Sequence, residues 1–207
     1  MLTRRDLLSK AIALGVVSAG TLLPSQIAEA WDWSDQHPRT VTPPAELGPF
    51  YKRDAPKVTR LSQTGDPGLP LHVTGQVFNA RGDVLPGAKI EIWHADHEGH
   101  YDLRGYRYRS TLTSGEDGTY EFTSVMPGHY PARVCQHVHY LVTAPGCKPL
   151  VTQLYFATDP AFDGDPGRNY TRDPLIWSRE LVRHVTIKGD PKQMTAVVRF
   201  ELVLDRL

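Results

Sequence analysis

The residues of this chain best suited to chemistry lie in the run His137-Val138-His139-Tyr140. Two imidazoles two residues apart on an extended strand point to the same face and can hold one metal ion between them. That pair alone leaves the metal open, and alternating His on a half-buried strand also serves simply to satisfy hydrogen bonds. Two tyrosines upstream narrow the choice: Tyr101, which closes WHADHEGHY, and Tyr130, within MPGHYP. Phenolate oxygen is hard and strongly donating. Two Tyr with two neutral His therefore suit a hard trivalent ion, ferric iron above all, better than zinc, whose usual ligands are Cys, His and carboxylate. A bound cation favours phenolate over phenol, whose free pKa is about 10. Two phenolates and one hydroxide would then neutralise the ferric charge, which makes a buried site tolerable.

The elements that must position these residues read as short strands. Leu71 to Asn79 alternates Val73, Gly75 and Val77 with His72, Thr74 and Gln76. Ala88 to Ala95 places Ile90, Ile92 and His94 on one face and Lys89, Glu91 and Trp93 on the other. Further runs cover Tyr106 to Thr113, Thr119 to Thr123, a hairpin of 137–143 and 150–156 around Ala144-Pro145-Gly146, Glu180 to Lys188, and Thr195 to Leu204. About eight strands with almost no helical periodicity predict an all-β fold, a β-sandwich. The stretch from Thr158 to Asp173 carries no core pattern and reads as a long functional loop. Trp93 reads as core, and His94, His97, His100 and His129 as solvent-facing or supporting groups.

Three segments are expected. Residues 1–30 form a twin-arginine export signal: Arg4-Arg5, an uncharged Ala/Gly-rich run from Ala11 to Leu23, and the cleavage site Ala28-Glu29-Ala30. The run is shorter than the roughly 20 apolar residues of a stable membrane anchor. Cleavage near Ala30 predicts a soluble periplasmic or secreted protein, carried by the twin-arginine export machinery. Residues 31–70 form an irregular arm in which Gly48-Pro49-Phe50-Tyr51 either lines a pocket or clamps the arm down, and residues 71–207 form the β-sandwich catalytic domain. Basic and acidic residues number 23 each, with no long run of one sign, which argues against a nucleic-acid partner. Cys135 and Cys147 lie toward opposite ends of the hairpin. An eight-residue strand spans about 26 Å, well beyond the ~4.4–6.8 Å between bridged Cα atoms, so two free thiols are expected.

Six stretches occur in an order that resembles the intradiol ring-cleavage dioxygenases, the family of catechol 1,2-dioxygenase and protocatechuate 3,4-dioxygenase. They are Gly48 to Tyr51, Gly87 to Ala95 leading to Tyr101, Asp117 to Tyr120, Pro127 to Pro131, His137 to Tyr140 with Ala144 to Gly146, and Thr152 to Phe156. The chain looks closest to the small, exported, single-domain members, whose sandwich is prealbumin-like. The resemblance implies a non-haem Fe(3+) held by Tyr101, Tyr130, His137 and His139, with Tyr130 as the ligand that leaves when substrate binds and takes a substrate proton. It makes Arg133 and Gln153 catalytic, the first stabilising anionic charge on the ring and the second orienting a bound oxygen. The gap from Arg133 to His137 is one residue longer than the family's pattern. The implied reaction opens a catechol between its two hydroxylated carbons with O2 to give a muconate-type diacid.

Two other readings use the same residues. A non-catalytic prealbumin-like binding module would hold no iron tightly. A zinc hydrolase built on the His pair would recruit Asp96 or Asp102. Which catechol is taken is open among catechol, protocatechuate, hydroxyquinol and halogenated forms, with Arg104, Tyr106 and Arg107 near enough in sequence to matter. An oligomer is compatible with the sequence.

Overall fold

The structure, a computed structural model, describes residues 38–207 apart from 132 and 192, so the expected export signal and the start of the arm lie outside the described residues. Among the described residues ten strands form two mixed five-stranded sheets, and the fold is all-β. In the first sheet β1 (Pro70–Asn79) pairs antiparallel with β4 (Thr119–Val125) and parallel with β9 (Thr195–Arg199) and β10 (Leu202–Leu204), while β8 (Val185–Lys188) lies antiparallel on β9. The second sheet runs β3 (Arg109–Thr113), β2 (Lys89–Trp93), β5 (His137–Thr143), β6 (Leu150–Phe156) and β7 (Val182–Arg183). Alternation does the sorting. Val73 and Val77 of the first sheet and Ile90, Ile92, Val138, Tyr140 and Val142 of the second enter one shared hydrophobic core, because the strand period of two sends their neighbours to the opposite face.

Three expected runs break where side chains compete with the ladder. The run from Tyr106 starts as a strand only at Arg109, because the Asp102 carboxylate accepts the N–H groups of Arg104, Gly105 and Arg107 and holds them in a turn. The closing run divides at Phe200-Glu201, where the Tyr120 hydroxyl donates to the Phe200 carbonyl at 2.6 Å. Gly75 permits that approach, since a Cβ there would lie 2.0 Å from the same carbonyl oxygen. The Glu180 to Lys188 run is a 3-10 turn (Arg179–Leu181) followed by β7 in one sheet and β8 in the other, so the chain changes sheets at His184.

The arm and the long loop are more tightly built than their sequences suggest. Residues 38–69 contain no strand, yet Thr42, Ala45 and Leu61 donate backbone N–H groups to Val203, Val151 and Thr123, and Ala45 and Leu61 are buried in the core. The loop after Phe156 folds into short helical turns, sends Phe162 into the core, and buries the carboxylates of Asp159 and Asp173. Both cysteines are free and buried, as expected.

His94 is not a solvent-facing group. It sits on the Ile90/Ile92 face, 1% exposed, with Nδ1 donating to the Ala95 carbonyl and Nε2 meeting the Ser124 hydroxyl at 2.8 Å. Burial holds its pKa at about 4 against an ordinary 6.5. Between those values the unfolded chain binds more protons than the folded one. The stability His94 contributes is therefore complete above pH ~6.5 and is lost as pH falls toward ~4. Urea unfolding near pH 7 and pH 5 should show His94→Gln losing on the order of 2 kcal/mol less stability than the parent chain over that interval.

Candidate functional site

The outer face of the second sheet carries the site, and strand register lays out its rows. His139 lies opposite Trp93 of β2 on one side and Gln153 of β6 on the other, and His137 lies opposite Tyr155. These five side chains share one face because residues two apart on a strand, and residues directly opposite across neighbouring strands, point the same way. Trp93 is buried, as the sequence suggests, and its indole stacks on the His139 imidazole at 4.9 Å between centroids and 4° between planes. Tyr51 of the arm packs on Trp93 and donates its hydroxyl to Glu91 at 3.0 Å. The Gly-Pro-Phe-Tyr turn thus does both things open to it, since Gly48 and Phe50 line the cavity while Tyr51 fastens the arm.

Tyr101, Tyr130, His137 and His139 converge. The hydroxyls of Tyr101 and Tyr130 lie 3.5 and 3.3 Å from His137 Nε2, and the two imidazoles meet at 4.8 Å between centroids. His137 Nδ1 lies 2.8 Å from the Cys135 carbonyl, which fixes the proton on Nδ1 and turns the bare Nε2 lone pair toward both phenols. His139 Nδ1 is buried with no hydrogen-bond partner. Burial, with the Arg133 cation adding to it, lowers the His137 pKa to about 3, and burial with the nearby His137 lowers that of His139 well below its ordinary value. Both imidazoles are therefore neutral at neutral pH. Burial raises the pKa of Tyr101, with Tyr130 beside it adding to the shift, and burial raises that of Tyr130. These phenols ionise only if a cation stands among them. Two phenols and two neutral imidazoles around one point are a donor set that fits a hard trivalent metal ion.

The tyrosines are held differently. Phe50 stacks on Tyr101 at 4.2 Å and 18°, whereas Tyr130 meets Phe50 and Tyr101 edge-on, at 6.2 and 5.7 Å, and His137 at a tilt, at 5.7 Å. Tyr130 precedes Pro131 at the rim of a cavity of about 370 Å³ lined by Glu46, Gly48, Phe50, Arg133, His139 and Leu175, among others.

Despite its longer spacing from His137, Arg133 reaches the site. Its Nη1 lies 3.3 Å from His137 Nε2, and its Nη2 donates to Gln153 Oε1 at 2.9 Å and to the Tyr155 hydroxyl at 2.7 Å. Gln153 donates its Nε2 to the Glu46 carbonyl and accepts from Arg133 and Tyr155, so its amide is joined to the guanidinium and the arm. The sequence does not single out Tyr155, Trp93, Asp159 and Asp173 as parts of the site. Tyr155 and Trp93 have a signal in hindsight, the same strand parity as Gln153 and the His pair; the two aspartates have none, because loop carboxylates look alike until folded.

The other candidates are elsewhere. Asp96 accepts the N–H groups of Glu98 and His100, and Asp102 caps its own turn, so neither supplies a zinc ligand beside the His pair. Asp96, Glu98 and His100 gather at the surface, apart from the four rings. Arg107 pairs with Asp66 at 2.7 Å, and Lys52 donates to the carbonyls of Arg104 and Gly105. His129 is exposed and pairs with Asp159.

Comparison with known proteins gives this geometry a family. The dioxygenase family pattern matches residues 47–206, which span every ring and guanidinium just described. The chain belongs to the intradiol ring-cleavage dioxygenases. Relatives in that family include chlorocatechol 1,2-dioxygenase of Rhodococcus opacus, 32% identical over 153 residues, covering 60% of this chain and 60% of that protein. Catechol 1,2-dioxygenase of Acinetobacter baylyi is 32% identical over 198 residues, covering 80% of this chain and 63% of that protein. This chain thus spans less than two thirds of the length of these curated relatives. Among solved structures, the dioxygenase domain of a dioxygenase and carbohydrate-binding protein fusion from Streptomyces sp. SirexAA-E superposes with a TM-score of 0.69 at 33% identity, covering 81% of this chain and 100% of that one.

Gly48 constrains this site from the arm. Its φ is +72°, and a Cβ there would stand 3.0 Å from His139 Cε1. Gly48→Ala is expected to cost about 1 kcal/mol or more in denaturant unfolding and to weaken metal retention on dialysis, through backbone strain and displacement of the imidazole.

Proposed function

We propose that this chain is a non-haem ferric dioxygenase that opens a catechol ring between its two hydroxylated carbons, using O2, to give a muconate-type diacid. The observation that carries the proposal is the convergence of two phenols and a guanidinium on the Nε2 lone pair of His137, beside a second neutral imidazole. Ferric iron held by Tyr101, Tyr130, His137 and His139 would supply the Lewis acidity that binds catechol as its dianion and opens the ring to dioxygen.

The chain's own residues have separable tasks. Tyr130, lacking the stacking that holds Tyr101, is the phenolate free to swing away, and its Oη takes a proton from an incoming substrate hydroxyl. The rim of Pro49, Phe50, Pro131 and Leu175 excludes water from the ring. Arg133 Nη1 faces the place where anionic charge grows and stabilises it there, while Gln153 and Tyr155 fix its other amine. The two sheets are read as a prealbumin-like sandwich, and the first thirty residues as a twin-arginine signal that delivers the folded protein to the periplasm or beyond. The all-β strand order supports the first, and the Arg4-Arg5 pair with Ala28-Glu29-Ala30 supports the second.

Iron-loaded protein is expected to be wine-red through phenolate-to-ferric charge transfer. Anaerobic catechol should move the band to longer wavelength, and oxygen should restore it as product forms. Protein that stays colourless after ferric loading would remove the phenolate ligands and leave the binding module in front. Tyr130→Phe should keep a weaker, altered colour from Tyr101 and lose at least about tenfold in kcat, because the base is gone.

A further inference from the structure

The loop after Phe156 supplies no metal ligand, yet two of its carboxylates are among the most buried polar groups of the chain, Asp159 at 2% and Asp173 at 1% exposure. Both are directed at the segment between Tyr130 and His137. Asp173 Oδ2 accepts the backbone N–H of Cys135 at 3.1 Å and faces Arg133 Nε at 3.4 Å, while its Oδ1 accepts the N–H of Leu175 at 3.0 Å. Asp159 Oδ2 accepts the N–H of Gln136 at 2.6 Å.

These bonds fall between Arg133 and His137, a spacing one residue longer than the resemblance implies. The chain turns at Tyr130 to Arg133, with Arg133 N–H on the Tyr130 carbonyl, and sets Val134 out in solvent at 46% exposure. The Cys135 and Gln136 amides left over by that excursion are the ones the two carboxylates take. Of the guanidinium's three nitrogens, Nε then faces Asp173 and Nη2 is bonded to Gln153 and Tyr155, so that Nη1 alone is aimed at the four rings.

We infer that Asp173 is a positioning residue for the reaction: it holds Arg133 against the slack of the lengthened segment, so that one guanidinium amine faces the substrate ring. This rests on the function proposed above. A buried guanidinium left without its carboxylate seeks another partner, and a fork with three anchors has one orientation where a fork with two has several. Asp173 bonds the Arg133 side chain and the backbone of Cys135 and Leu175, and it has no hydrogen bond to any of the four rings, so its loss should spare metal and substrate binding while slowing turnover.

The test is a double-mutant cycle of Asp173→Asn and Arg133→Gln in iron-loaded protein, reading the visible band, the anaerobic catechol Kd, KM and kcat. The expected result is that Asp173→Asn keeps the band, Kd and KM within about twofold and lowers kcat at least tenfold, and that the double variant is no slower than Arg133→Gln within twofold. Multiplying losses in the double variant would overturn the inference, as would an Asp173→Asn kcat within twofold of the parent. If Asp173→Asn does not fold, Asp173→Glu, which keeps the charge but displaces it by one methylene, replaces it in the same cycle. An Asp173→Glu variant that loses colour together with turnover would assign the residue to the fold alone and sink the inference. A parent protein that is red and turns over catechol while the cycle is additive refutes only the role of Asp173. A colourless, inactive parent refutes the dioxygenase reading and this inference together.

Discussion

One imidazole nitrogen organises this molecule. His137 Nε2 faces the hydroxyls of Tyr101 and Tyr130 and the Nη1 of Arg133, all within 3.5 Å, with the imidazole and the guanidinium buried. A lone pair has room for one good donor, and a fixed cation stands beside two phenols whose burial resists ionisation. Such a cluster is poorly satisfied by its own members. A trivalent cation at the common point would resolve it, taking the imidazole lone pairs and turning both phenols into anions, which the adjacent guanidinium also favours.

The fold meets that constraint with a rigid floor and an irregular cover. The floor is the outer face of β2, β5 and β6, where a strand parity of two brings Trp93, His139 and Gln153 into one row and His137 and Tyr155 into the next. The inner face of the same strands is closed by the core, so none of these side chains can slip by one residue without sending Val138 and Tyr140 into the site and the histidines into hydrocarbon. The cover comes from the arm at Gly48 to Tyr51, the segments carrying Tyr101 and Tyr130, and the loop after Phe156. Each is tied by specific backbone bonds, which is how segments without a ladder hold side chains to fractions of an ångström.

Burial also separates the two kinds of histidine. His94 and His137 are both inside and both have depressed pKa values, but His94 has a partner at each nitrogen whereas His137 has one bonded nitrogen and one turned into a crowd of donors. The first is a satisfied core residue. The second has a lone pair of the kind a metal ion would take, and the difference lies entirely in what occupies the far side of the ring.

The sequence by itself determined the all-β character, the parity of the strands around the site and the four rings that converge there. Those are set by local alternation and by side-chain type: His137 and His139 share a face whatever lies around them, and phenol with imidazole implies a hard metal ion before any coordinates exist. Only the tertiary structure decided what those rings touch. That Arg133 lies against both His137 and Asp173, the latter forty positions along the chain, and that Gly48 presses on His139 follow from where the loop and the arm fold back. The breaks at Phe200 and before Arg109, the burial of His94 and the inward turn of Asp159 were likewise hidden. In each case a hydrogen bond between distant residues outweighed a local preference, and such contacts have no period for a sequence to display.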